Sequence, residues 1–189
     1  MTQSGLLSSI SVLVERDLSG QSSQFATIKK LHERKEFSLG LHLEITAEDD
    51  EAVFESQWSK FEDLLGMTPN YVDIHKGHFQ NVNFNTIGEF CLVKGVHFRK
   101  YNETTIDVSS PTQSLTATHK DLDTIKTWID NFESNLIYEL VFHIGTFDPG
   151  SKSSLNKERE FDVEKLRLVH KFISDKGIPV VSYKSLRDA

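Results

Sequence analysis

The chain has 189 residues, 38% of them hydrophobic and 26% charged, with a formal net charge of −7. That length suits one domain with a real core over residues 1–189, and the acidic balance argues against general nucleic-acid binding through counterion release. The lone cysteine, Cys91, excludes an internal disulfide and fits a reducing compartment, no apolar run reaches the roughly 20 residues of a membrane span, and Met1 to Leu7 lack the features of a signal peptide, so a cytoplasmic protein is expected.

Strand and helix patterns alternate along the chain. Leu6 to Val14 reads as a buried strand, and Gln24 to Arg34 carries Phe25, Ile28 and Leu31 at helical spacing. Leu39 to Ile45 alternates apolar and polar residues. Glu48-Asp-Asp-Glu51 then opens a helix whose stripe is Phe54, Trp58, Phe61 and Leu65; acidic residues suit its positive end, and Gly66 stops it. Tyr71 to His75 is a second alternating strand, Phe84 to Val93 a helix and Val96 to Tyr101 a strand. Asn102 to Thr118 is polar without a clear period and reads as a loop. Asp121 to Phe132 is a helix, Glu139 to His143 the third alternating strand, and Gly145 to Glu160 a second long loop. Val163 to Ser174 is a helix capped by Gly177, and Ile178 to Ser182 is expected as a last strand.

Alternating strands and helices predict an α/β fold with parallel strands. Strands with one apolar and one polar face point to a barrel, whose site lies at the carboxyl ends of its strands. Three strands carry chemistry on the polar face. In Leu39-Gly-Leu-His-Leu-Glu-Ile45 the leucines and Ile45 share one face and leave His42 and Glu44 on the other. In Tyr71-Val-Asp-Ile-His75, Tyr71, Asp73 and His75 face together. In Glu139-Leu-Val-Phe-His143, Glu139 and His143 do. Histidine with carboxylate is a common ligand set for a catalytic divalent metal. His42 and His75 are the candidate ligands, with Asp73 as a further ligand or as the group that orients one. His78 lies beyond the strand, either in the site or facing solvent.

Glu139 and His143 lie roughly 13 Å apart along their strand and are not expected to touch. His143, at the strand end, suits acid/base work near neutral pH. Glu139 either orients a neighbour or is a buried carboxylate paired with a base such as Arg99. Arg99 itself holds a site carboxylate or a substrate oxygen, or is an exposed edge residue. Arg159 belongs either to a substrate loop or to a charged helix start. Cys91 reads as core, and His32, His97, His119 and His170 as surface or structural residues. The sequence has no Gly-rich phosphate loop and no Gly-x-Ser-x-Gly elbow.

Gly40-Leu-His-Leu43, Pro69-Asn-Tyr-Val-Asp-Ile-His75, Glu139-Leu-Val-Phe-His143 and the closing Val181-Ser-Tyr-Lys resemble, in order and spacing, the YdjC-like carbohydrate deacetylases, which include the chitooligosaccharide deacetylases. The resemblance covers essentially the whole chain. It implies a distorted (β/α) barrel of polysaccharide-deacetylase type and a divalent metal, Mg2+ or Zn2+, held partly by His42 and His75. It also implies hydrolysis of acetyl groups from N-acetylated sugars or oligosaccharides. His143 matches the acid/base on the leaving side; Asp73 and Glu139 are the other catalytic candidates, and Arg99, Arg159 and Tyr71 are the substrate-binding candidates. The family's Cys-His-Pro reads Phe142-His-Ile144 here, and the first position of its His-x-Asp-x-His is Tyr71. The family's opening Asp-Asp-Phe-Gly strand, source of a ligand and the base, has no counterpart. The expectation is a barrel lacking its first strand and helix, with Leu6–Val14 as an open edge that favours a homodimer. The alternatives are a catalytically impaired sugar-binding or interaction module and, with less support from basic residues, a barrel phosphoesterase. Neither a nucleic-acid nor a membrane partner is expected.

Overall fold

The alternation of the first half becomes a parallel sheet in a computed structural model of the chain, which describes residues 5–15, 19–33, 37–76, 82–99, 113–151 and 153–188. Its strands are β1 (Ser9–Val12), β2 (Ser38–Leu43), β3 (Tyr71–Ile74) and β4 (His97–Phe98), hydrogen-bonded in that order. The ladder runs past the regular strands: His75 N–H donates to Leu43 O at 2.7 Å and Arg99 N–H to Val72 O at 2.9 Å. This sheet belongs to one unit, Met1–Ser110 with Val181–Ala189, and Pro111–Val180 forms a second.

Helices α1 (Ser22–Glu33), α2 (Glu51–Leu65) and α3 (Phe84–Lys94) join the strands of the first unit. One face of the sheet, with Val12, Leu39, Leu41, Leu43, Val72, Ile74 and Phe98, buries itself in a core with Phe54, Trp58, Phe61 and Leu65 of α2 and Ile87, Phe90 and Cys91 of α3. Full burial of each such Leu or Phe is worth about 1.5–3 kcal/mol, so this face fixes which strand residues point the other way. Helix α2 starts where Asp50 Oδ1 accepts the Ala52 N–H at 3.0 Å, and it ends at Gly66, whose φ of +66° suits a residue without Cβ. From α2 the buried Gln57 reaches the end of β2, accepting from Glu44 N–H at 2.9 Å and donating to Glu44 O at 2.8 Å. Burial pushes the Cys91 thiol pKa up, which fits its reading as core.

In the second unit β5 (Gln113–Thr116) pairs in parallel with β6 (Tyr138–Val141), and α4 (Leu122–Asp130) lies between them in the chain. With α5 (Glu158–Asp175) they enclose a smaller core of Ala117, Ile125, Ile129 and Val169, flanked by Leu140, Phe142 and Phe172. Asp121 caps α4 by accepting the Thr124 N–H at 2.7 Å, and this hydrogen bond lowers its carboxyl pKa.

The fold is therefore mixed α/β with parallel sheets, as the element order predicts. Three details differ from the sequence reading. Residues 113–116 are a strand although they were expected in a loop; only Leu115 is apolar there, and backbone pairing to β6 supplies the order. Helix α5 begins at Glu158 rather than Val163, with Glu158 and Glu160 in its first turn where acidic groups suit the helix dipole. Residues 178–182 form no strand. Of the long loop read over Asn102 to Thr118, residues 102–112 lie outside the described residues. Among the described residues no helix is long and apolar enough to cross a membrane.

Candidate functional site

The parallel register lines up the polar residues of the first unit. Ser11 pairs with Gly40, Gly40 with Tyr71, and Tyr71 with His97, so these four form a row across the sheet. Two residues further on, His42 pairs with Asp73. Arg99 follows His97 at the same period and completes that second row. His75 continues the face at the carboxyl end of β3.

The first row is closed by aromatic packing. A Cβ at Gly40 would lie 2.3 Å from Cζ of Tyr71, so the Tyr71 ring occupies the space a side chain there would need. The same ring stacks on Tyr183, with centroids 4.0 Å apart and planes 12° from parallel. Tyr71, a substrate-binding candidate, is thus buried, and its hydroxyl meets Ser11 Oγ at 2.9 Å.

The second row centres on Asp73, whose side chain is 1% exposed. Its Oδ1 lies 2.7 Å from His42 Nδ1. Its Oδ2 accepts from Ser11 Oγ at 2.9 Å and pairs with the Arg99 guanidinium at 2.6 Å. Burial alone would raise this carboxyl's pKa; Arg99, His42 and the hydrogen bonds from His42 and Ser11 outweigh it and lower the pKa to about 2. Asp73 is therefore ionised near neutral pH. With both oxygens engaged, it orients His42, one of the two roles its spacing allows.

His42 extends the array. With Nδ1–H given to Asp73, neutral His42 carries its lone pair on Nε2, which faces Nδ1 of His75 at 3.2 Å. The two rings meet edge to face, with centroids 5.1 Å apart at 80°. A neutral His75 with its hydrogen on Nδ1 donates it across this gap to His42 Nε2; with that hydrogen on Nε2 instead, the two facing lone pairs take a cation between them. The donor set fits a divalent ion: nitrogens each bound at about 2.0–2.1 Å to one ion lie about this far apart. A carboxylate on the outer nitrogen of a ligand histidine is the usual support for such a ligand. Among the described residues, no three His, Cys, Asp or Glu side chains converge as a metal-holding group, and His78 lies outside the described residues.

The remaining candidates belong to the second unit. Exposed His143 follows the end of β6, and its Nδ1 lies 2.9 Å from Thr118 Oγ1. Its backbone N–H donates to Thr118 Oγ1 at 3.1 Å and to Asp162 Oδ2 at 3.0 Å. Glu139, partly exposed, accepts from Ser114 Oγ at 3.0 Å. Arg99, weighed as its partner, pairs with Asp73 instead. Arg159 stands in the first turn of α5, where its carbonyl accepts the Gly145 N–H at 3.3 Å.

The sequence gives no role to Ser11, Thr118 or Asp162, and marks Tyr183 only as part of the closing Val181-Ser-Tyr-Lys. Ser11 shares the strand phase of the polar face, a usable but weak signal. Asp162 sits in the charged run Glu158-Arg-Glu-Phe-Asp162, which reads as a solvated helix start although Asp162 is buried. Compared with known protein families and with curated proteins, the chain matches none.

Proposed function

We propose that this chain is a metal-dependent hydrolase that removes acetyl groups from N-acetylated sugars or oligosaccharides, built on a distorted (β/α) barrel of the YdjC-like deacetylase type. The observation that carries the proposal is the array Asp73–His42–His75, in which an ionised, buried carboxylate sets the tautomer of one imidazole and turns its lone pair toward a second. A sheet with one face in the core and the other bearing His, Asp and Arg also suits the wall of such a barrel.

In this reading His42 Nε2 and His75 Nδ1 hold a divalent ion, Mg2+ or Zn2+. Such an ion, when bound, supplies Lewis-acid polarisation of the acetamide carbonyl and a lowered pKa for water. Asp73 keeps His42 in the ligating tautomer, and Arg99 keeps Asp73 ionised. The proton for the leaving amine is the role the resemblance assigns to His143. The lone buried Cys91 suits a reducing compartment such as the cytoplasm.

The test is calorimetric titration of the full chain with Zn2+ and Mg2+, beside His42→Ala and His75→Ala, followed by assay of acetate release from N-acetylated oligosaccharides. Saturable binding and acetate release, both lost in each variant, are expected. A folded wild-type chain that binds neither ion would overturn the metal centre. Sugar binding without acetate release would point to a binding module instead.

A further inference from the structure

Thr118 and His143 occupy equivalent places just past the paired strands β5 and β6. Thr116 is in register with Val141, and Ala117 N–H continues the ladder to Val141 O at 2.8 Å, so two residues further on, on the same face, Thr118 stands opposite His143. Thr118 and Asp162 are both buried, whereas His143 is exposed.

The protons of this cluster can be assigned. Thr118 Oγ1 lies 2.5 Å from Asp162 Oδ2. Lys165 Nζ stands 2.9 Å from Asp162 Oδ1. Burial alone would raise the Asp162 pKa, but the hydrogen bonds from Thr118, Lys165 and the His143 backbone outweigh it and lower it. Asp162 is therefore a carboxylate and can only accept, so the single hydroxyl proton of Thr118 goes to it. Thr118 Oγ1 then has only lone pairs to offer His143 Nδ1, and Nδ1 must carry a hydrogen.

We infer that Thr118 and Asp162 are positioning residues that hold His143 as the Nδ1–H tautomer and make Nε2 the nitrogen that exchanges protons with substrate. The role of proton donor rests on the deacetylase reading; the tautomer does not. In that role the Nε2–H bond of the imidazolium breaks as an N–H bond forms on the leaving amine. Nδ1–H stays on Thr118 throughout, and His143 ends as the neutral Nδ1–H tautomer. Free histidine prefers the other tautomer, so the cluster has a measurable consequence.

The experiment is long-range 1H–15N correlation on the 15N-labelled full chain at mildly alkaline pH, for wild type, Thr118→Val and Thr118→Ser. His143 should be the Nδ1–H tautomer in wild type and Thr118→Ser, and should move toward Nε2–H in Thr118→Val. An Nε2–H tautomer in wild type overturns the inference even if Thr118→Val fails to fold, and so does an unmoved tautomer in a folded Thr118→Val. If acetate release is found, Thr118→Val should lower kcat about a hundredfold with KM unchanged, and Thr118→Ser should restore it. If the tautomer moves as expected but wild type releases no acetate, the positioning stands and the deacetylase reading falls.

Discussion

His42 and Asp73 occupy paired positions on adjacent parallel strands, and Nδ1 of one lies 2.7 Å from Oδ1 of the other. The same carboxylate takes Ser11 from β1 and Arg99 from the end of β4, so one buried side chain links polar groups from all four strands of the sheet. A buried ion pair is costly to assemble and more costly to break from one side, because the surviving charge keeps its desolvation cost.

Arg99→Ala should therefore destabilise the chain by about 3–5 kcal/mol. The guanidinium is 14% exposed and Asp73 1%, so water does little to replace the lost charge. Urea denaturation at neutral pH measures the change. A loss below about 1 kcal/mol would place this pair with exposed ones.

Acid should weaken the fold in a defined window. The Asp73 carboxyl is lowered from the usual 3.8 to about 2 in the folded chain. A group whose folded pKa is the lower one adds stability that is present above its unfolded pKa and lost as pH falls through its folded pKa. Asp73 should thus contribute about 2 kcal/mol above about pH 5, declining as pH falls through about 2 and gone by about pH 1. Asp162, lowered as well, acts with the same sign. Stability measured by denaturant from neutral pH downward should fall in wild type and fall less steeply in Asp73→Asn. Equal slopes would remove Asp73 from the acid response.

Period-2 alternation placed His42, Asp73 and His75 on the polar face, because burial of Leu39, Leu41, Leu43, Val72 and Ile74 decides which side each strand shows the core. That Arg99 holds a site carboxylate was one of its readings; which carboxylate it holds, and the partners of His42 and Ser11, depend on register between strands distant in sequence. His42 meets Asp73 across 31 positions and Ser11 meets Asp73 across 62. Strand β5 was missed for a related reason: its residues are mostly polar, and its order comes from β6. Asp162 was missed because a carboxylate among charged neighbours gives no sign in sequence that Thr118 and Lys165 will bury it.

Metal affinity should depend on a residue that holds no metal. Asp73→Asn weakens the acceptor for His42 Nδ1–H and permits the other tautomer, which would place a hydrogen on Nε2. If His42 and His75 hold a divalent ion, Zn2+ affinity should fall about 10–100-fold in Asp73→Asn. Titration calorimetry on folded protein measures it; affinity equal to wild type would mean that Asp73 does not set the tautomer of His42.

Gly40 should be intolerant of even one methyl group. Its φ lies outside the left-handed region, so the constraint is space rather than backbone conformation: the new Cβ would meet three atoms of the Tyr71 ring at 2.3–2.5 Å. That ring cannot retreat freely, because Tyr183 stacks on it at 4.0 Å and Ser11 holds its hydroxyl at 2.9 Å. Gly40→Ala should cost about 1–3 kcal/mol, the range for overpacking a well-filled interior. In a Tyr71→Ala background the obstructing ring is gone, and the same substitution should cost much less. Denaturant midpoints of the four proteins give the coupling energy between the two positions. A coupling near zero would show that the cost of Gly40→Ala arises elsewhere, and that the Tyr71 ring does not sit against β2.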